Sequence, residues 1–127
     1  MSALLSVRHL TKEFTSSGGL FRAPRVVRAV DDVSFDVMEG ETFGLVGESG
    51  SGKSTTGRCI LRLIEPTSGE VTFRGRNLLA LPAEEMRLER RNLQIVFQDP
   101  YSSLNPRLRV RQIVEEPLVI HRIGARE

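Results

Sequence analysis

The sequence predicts an α/β fold in which a strand, a glycine-rich turn and a helix follow one another directly. Three observations point to it. Thr42-Phe43-Gly44-Leu45-Val46 reads as a buried strand. Gly47-Glu48-Ser49-Gly50-Ser51-Gly52-Lys53-Ser54-Thr55 follows it and fits G-x-x-x-x-G-K-[ST], the phosphate-binding P-loop. Thr56 to Ile64 then runs without proline, with Cys59, Ile60, Leu63 and Ile64 at helical spacing.

The elements can be justified in chain order. Leu5 and Val7 alternate with polar neighbours, so residues 4–10 predict a strand. Thr15 to Pro24 is rich in Ser and Gly and predicts a loop, with Ser17-Gly18-Gly19-Leu20 a flexible turn rather than a phosphate contact. Val27, Ala29, Val33, Phe35 and Val37 share one parity, giving one half-buried strand or two short ones broken near Asp31-Asp32. Glu39-Gly40-Glu41 turns the chain into the strand before the glycine loop, and Glu65-Pro66-Thr67-Ser68-Gly69 stops the helix after it. Val71 and Phe73 give a short strand. Pro82 to Arg91 predicts a polar helix with a solvated face, and Leu93-Gln94-Ile95-Val96-Phe97 a second buried strand. Gln98 to Pro106 reads as a loop, Val110 to Ile120 as a helix disturbed by Pro117, and His121 to Glu127 carries no clear cap. The expected architecture is an antiparallel β element over about 4–37 and 70–74, beside an incomplete core sheet carrying 42–46 and 93–97. Unpaired edges on that core sheet predict marginal stability or aggregation.

Composition bounds the rest. A chain of 127 residues, 39% hydrophobic and 27% charged, is at most one ordinary globular domain. Its net charge of +2 is too small to argue for nucleic acid or an anionic membrane. Cys59 is alone, which excludes an intrachain disulfide and a zinc spacing, and it reads as a small buried residue. No apolar run approaches bilayer length and Met1 to Leu5 is too short for a secretory signal, so the chain is expected in the cytosol. Lys12 and Lys53 are the only lysines.

The loop carries the chemistry. Its small residues let the backbone curl so that successive N–H groups face one concavity, and a helix starting near Gly52 adds its dipole and free amides. Lys53 is a mobile charge for the β- and γ-phosphates, Ser54 offers a hydroxyl to Mg²⁺, and Thr55 can donate to the α-phosphate. Gln98, at the end of an apolar strand, falls on the edge where ligands of open α/β sheets bind. Its amide can ligate Mg²⁺, orient water and sense a γ-phosphate; a glutamine satisfied by backbone is the plainer alternative. Asp99, after a run interrupted by Gln98, is a rival acidic Mg²⁺ residue.

Together these stretches resemble the amino-terminal half of an ABC-transporter ATPase subunit, and most of all the dipeptide/oligopeptide importer group, which also contains nickel importers. The resemblance rests on Val46 to Thr55, Glu65 to Gly69, Ala29 to Phe35, and Phe97-Gln98-Asp99-Pro100-Tyr101 with Ser103-Leu104-Asn105-Pro106, and it covers nearly the whole chain. It implies ATP and Mg²⁺ as cofactors, with residues Gly47 to Thr55 holding nucleotide. Gln98 would be the Q-loop glutamine, and Gln98 to Pro106 would meet the transmembrane permease subunits. A second ATPase subunit is implied, and indirectly an extracytoplasmic solute-binding protein; nucleic acid is not. The place of action would be the cytoplasmic face of the inner membrane, peripherally. Phe14 matches the aromatic residue that stacks on adenine, a core phenylalanine being the alternative.

The departures are as specific. The sequence has no Leu-Ser-Gly-Gly-Gln signature, no apolar run ending in Asp-Glu (Walker B), and no switch histidine; His9 and His121 lack that context. The expectation is therefore a truncated cassette with the phosphate cradle and the sensor, which by itself cannot hydrolyse ATP. A nucleotide-binding module without turnover, and an ABC ATPase of translation, DNA repair or another cargo, are the competing readings. A GTPase would need Asn-Lys-x-Asp, which is missing.

Overall fold

The structure is a computed structural model, described here for residues 2–18 and 20–124. Gly19, in the expected flexible turn, and residues 125–127, in the expected uncapped end, lie outside the described residues. The chain divides into two units, Met1–Pro82 and Ala83–Glu127.

The first unit is a four-stranded antiparallel sheet in the order β2-β1-β3-β4, with one helix. Its strands are β1 (Leu5–Ser16), β2 (Arg25–Val37), β3 (Ser68–Phe73) and β4 (Arg76–Asn77). The helix α1 spans Lys53–Ile60, and a 3₁₀ turn at Leu78–Ala80 follows β4. The expected β element is thus present, longer than its alternation suggested. The 27–37 segment forms one strand, because β1 pairs with it from Leu5↔Val37 to Ser16↔Arg25 and absorbs the irregularity in register shifts.

Those shifts have visible causes. His9 and Asp32 both have left-handed φ (50° and 49°), and each amide leaves the regular ladder for a hydroxyl: His9 N–H donates to Ser34 Oγ at 2.8 Å, Asp32 N–H to Thr11 Oγ1 at 3.1 Å. A further shift pairs Lys12 with Val30 and Glu13 with Arg28, leaving Ala29 unpaired. On the β3 side Gly69 takes a φ of 110° where a Cβ would stand 2.7 Å from His9 O and from Leu10 Cα, so only glycine fits.

The buried residues of this unit come from both kinds of element: Val7, Leu10, Val71, Cys59 and Leu78 have no exposed surface. Val7 and Val71 are register partners, so the core starts as a cross-strand pair on one face of the sheet. Cys59 occupies the place its sequence context predicted, and burial raises its thiol pKa. α1 ends at Ile60, short of the expected Ile64. Arg62 adopts a left-handed φ of 51°, and the amides of Leu63 and Ile64 fold back onto Arg58 O.

The segment 42–46, expected as a buried strand, is extended but belongs to no ladder among the described residues. It is exposed throughout, Val46 at 91%. Its entry is fixed by a stacked pair, Phe35 and Phe43, with centroids 4.8 Å apart. The turn at Glu39 to Glu41 forms as expected, closed by Glu41 N–H on Met38 O and by Glu41 Oε2 accepting from Met38 N–H.

In the second unit lie α2 (Ala83–Glu89), α3 (Pro100–Ser103) and α4 (Val110–Ile120). Residues 93–97, expected as a buried strand, are likewise unladdered, and Val96 is 96% exposed. A strand exists only where a neighbour completes its hydrogen bonds, and no described neighbour does so here. The polar face of α2 is not simply solvated. Arg87 donates to Ile120 O at 3.3 Å, and Arg91, beyond the helix end at Glu89 though expected within it, to His121 O, placing cations on the carbonyl end of α4. α4 has the expected bounds and carries Pro117 inside it.

Candidate functional site: the loop at 47–55

The loop from Gly47 to Thr55 is built by glycine geometry. Gly52 is the N-cap of α1, with φ 96°, and a Cβ there would stand 2.1 Å from Ala29 O. The unpaired position in β2 therefore backs directly onto the foot of the helix. Gly50 also has a left-handed φ of 81°, and a Cβ on Gly47 would meet Ser51 Oγ at 2.5 Å. Ser51 N–H closes the turn on Glu48 O at 3.1 Å. No side chain caps α1. The amides of its first turn, at Lys53, Ser54 and Thr55, have no intrahelical acceptor by construction, and the helix dipole adds to them.

Lys53 curls back over this turn. Its Nζ donates to Gly47 O and Glu48 O, each at 2.6 Å, and to Ser51 Oγ at 3.1 Å. The ammonium thus stands at the mouth of the loop on a tether of four carbons. Ser54 is exposed beside it. Thr56, just outside the motif, is only 4% exposed and donates its hydroxyl to Gly52 O at 2.9 Å, pinning the first turn. Its signal was the i, i+4 spacing from the N-cap glycine.

The structure places Phe14 in the same unit. Phe14 pairs with Val27, two residues along β2 from the Ala29 carbonyl that supports Gly52. It is 43% exposed, so it is not a core phenylalanine. The Lys12 ammonium lies over its ring, 5.0 Å from the centroid.

Gln98 belongs to the second unit and is exposed, at a bend after the 93–97 segment. Asp99, the rival acidic residue, has a structural task here. It is the N-cap of α3, accepting from Tyr101 N–H at 3.0 Å and Ser102 N–H at 3.4 Å. The Ser102 side chain and these two amides hold its carboxyl below the usual aspartate range. The sequence read 98–106 as plain loop; Asp-Pro before a short polar run was the missed sign of a capped turn of helix.

A glycine-built turn closing on a helix N-terminus, with its lysine at the first helical residue, defines the P-loop class of nucleotide-binding proteins. Within that class, this chain belongs to the ABC transporter family, whose model matches residues 30–125. The fold agrees: the dimeric post-hydrolysis structure of the ATP-binding cassette MJ0796 bound to ADP and Pi superposes with a TM-score of 0.75 at 30% identity, over 97% of this chain and 50% of that one. Among curated proteins, the chain is 51% identical over 122 residues to the oligopeptide transport ATP-binding protein OppF of Bacillus subtilis, covering 95% of this chain and 38% of OppF. It is also 51% identical over 122 residues to the glutathione import ATP-binding protein GsiA of Salmonella paratyphi A, covering 95% of this chain and 20% of GsiA. The chain thus spans well under half the length of these curated relatives. No helix among the described residues is long and apolar enough to cross a membrane.

Proposed function

We propose that the chain binds Mg-ATP at the 47–55 loop and forms the nucleotide-holding part of an ABC ATPase that powers peptide import. The observation that carries this reading is the Lys53 ammonium poised over a turn of uncapped amides, on a backbone that only glycine at position 52 allows. The β- and γ-phosphates would lie against the loop amides from Glu48 to Thr55, and Lys53 would exchange two carbonyl partners for phosphate oxygens. That exchange is favourable because the new acceptors are charged.

Mg²⁺ fits the donor set. It takes oxygen ligands, keeps several waters and needs few protein groups. Ser54, exposed at the second residue of α1, would supply a hydroxyl next to the phosphates; the family resemblance alone assigns Gln98 as a further oxygen ligand. When bound, the ion neutralises charge building on the phosphoryl oxygens. In the complete cassette, water attacks the γ-phosphorus, the bond to the β-bridging oxygen breaks, and ADP and phosphate result. The loop amides and Lys53 would stabilise that transfer electrostatically, and the γ-phosphate sensor would be Gln98 by the family resemblance. Phe14 would stack on the base. The Gln98–Pro106 segment would meet the permease subunits, a reading supported by the exposed Tyr101 and Leu104. A second ATPase subunit would close over the nucleotide, at the cytoplasmic face of the membrane, with a solute-binding protein engaged only through the permease.

In the complete protein, Lys53→Ala should abolish ATP turnover; retained turnover would refute the role given to the lysine. A second reading is favoured by the sequence itself: with no Asp-Glu strand and no signature segment among its 127 residues, the chain alone binds nucleotide without hydrolysing it. Phosphate release from the purified chain separates the two. Glutathione, nickel and other cargoes are compatible with the same motor, since the loop residues never meet the solute.

A further inference from the structure

We propose that Lys12 is a positioning residue for the base-stacking platform, locking the Phe14 ring and coupling it to the helix that carries the phosphate loop. The proposal rests on the reading of Phe14 as the residue that stacks on the base.

Lys12 and Phe14 are two apart on β1 and so share a face of the strand. The Lys12 ammonium covers the ring at 5.0 Å from its centroid and also donates to Glu65 O at 2.8 Å. It therefore has two partners, the ring and the carbonyl. The Glu65 carboxylate is taken by Arg62, with both oxygens 3.0 Å from Arg62 Nε, so the backbone carbonyl is what holds Lys12. The segment after α1 is laced to the same stretch of β1 by two more bonds: Thr67 N–H to Thr11 O at 2.8 Å, and Glu13 N–H to Thr67 Oγ1 at 2.9 Å.

The consequence is geometric. With a cation over one face of Phe14, a flat aromatic ligand has only the other face, and the ring plane is set before the ligand arrives. Preorganisation of this kind raises affinity without a new contact to the ligand. The path from the segment that follows α1, through Glu65 O and Lys12 to Phe14, ties the base platform to the stretch leading out of the helix whose amides would meet the phosphates. An ammonium is slimmer than arginine's planar fork and so suits a position between the ring and the carbonyl.

Calorimetric titration with ATP and with inorganic tripolyphosphate tests this, because tripolyphosphate has no base. Removing the Lys12 charge weakens any anion alike, so the ratio of the two affinities isolates the platform. Lys12→Met should lower ATP affinity ~2–5-fold relative to tripolyphosphate, the size of an exposed cation–π contact. Lys12→Arg, which keeps the charge but not the slim shape that fits between the ring and Glu65 O, should recover only part of the ratio. Phe14→Ala should lower the ratio further, ~5-fold or more. If Lys12→Met and Lys12→Arg leave the ratio unchanged while Phe14→Ala lowers it, the Lys12 proposal is wrong and the stacking role of Phe14 stands. If Phe14→Ala leaves the ratio unchanged, both fall together. In the free chain, upfield-shifted Lys12 ε-methylene proton signals that vanish in Phe14→Leu would support the geometry independently of binding; unshifted signals would contradict it.

Discussion

Gly52 and Lys53 are adjacent and meet opposite demands. Gly52 must have no side chain, because β2 passes within contact distance of where its Cβ would be, while Lys53 must have a long one to reach back over the turn. Gly52→Ala should therefore be costly twice, once through the clash with Ala29 O and once through a left-handed φ that alanine resists. The expected result is a lowered melting temperature together with at least tenfold weaker ATP binding (about 1.4 kcal/mol), read by thermal melts and titration calorimetry. A variant melting and binding like the parent would show that the strand gives way freely. Glycine at 52 was legible in the sequence as part of a motif. Its partner, the carbonyl of Ala29, was not, because it depends on a register shift that alternation of apolar residues cannot announce.

At the scale of elements, the β1–β2 pair carries both stability and site. Leu10 is fully buried, and its neighbour His9 is the left-handed residue at the shift. Leu10→Ala should destabilise the chain by about 2–5 kcal/mol, as a denaturant melt would show; a much smaller loss would mean that the sheet face is loosely packed. Arg8 and Asp36 add a charged clasp on the exposed side, with both carboxylate oxygens 2.7 Å from Arg8 Nη2. That hydrogen-bonded guanidinium holds the Asp36 carboxyl below its ordinary range. A depressed folded-state pKa means that the stabilisation is present above the unfolded value and is lost as pH falls through the folded one. The melting temperature of the parent should thus decline in acid below the ordinary aspartate range more steeply than that of Asp36→Asn. Parallel pH profiles would show the pair to be worth nothing in solution, as many exposed pairs are.

These elements also show why some of the fold was legible and some was not. The first part of β1, over 4–10, and the 27–37 part of β2 could be seen because half-buried strands alternate, while the continuation of β1 to Ser16, into the expected loop, could not; α4 was legible from Val110 to Ile120. Residues 42–46 and 93–97 have the composition of buried strands, but composition records what a segment can bury, not whether a neighbour is there to pair with it. α3 was hidden because a four-residue helix has no period to detect, only the Asp99 cap.

For the molecule as a whole, exposure is the telling property. Val46 and Val96 are more than nine-tenths exposed, and so are Leu20 and Phe21 at the β1–β2 turn. Apolar extended segments without ladder partners invite pairing with other chains. The isolated chain should self-associate as concentration rises, in sedimentation velocity, and melt with poor cooperativity; a monomer with one sharp transition would contradict this. Ligand binding should oppose the tendency, since a nucleotide that binds only the folded state stabilises it by about 2.7 kcal/mol at a hundredfold excess over its dissociation constant.

The measurement that bears most directly on the central claim is a structure of the chain with Mg²⁺ and a non-hydrolysable ATP analogue. The account predicts phosphate oxygens within hydrogen-bond reach of the amides of Lys53, Ser54 and Thr55, and a Lys53 ammonium that has left the carbonyls of Gly47 and Glu48 to join them. A triphosphate bound elsewhere, with Lys53 still resting on its own loop, would contradict it.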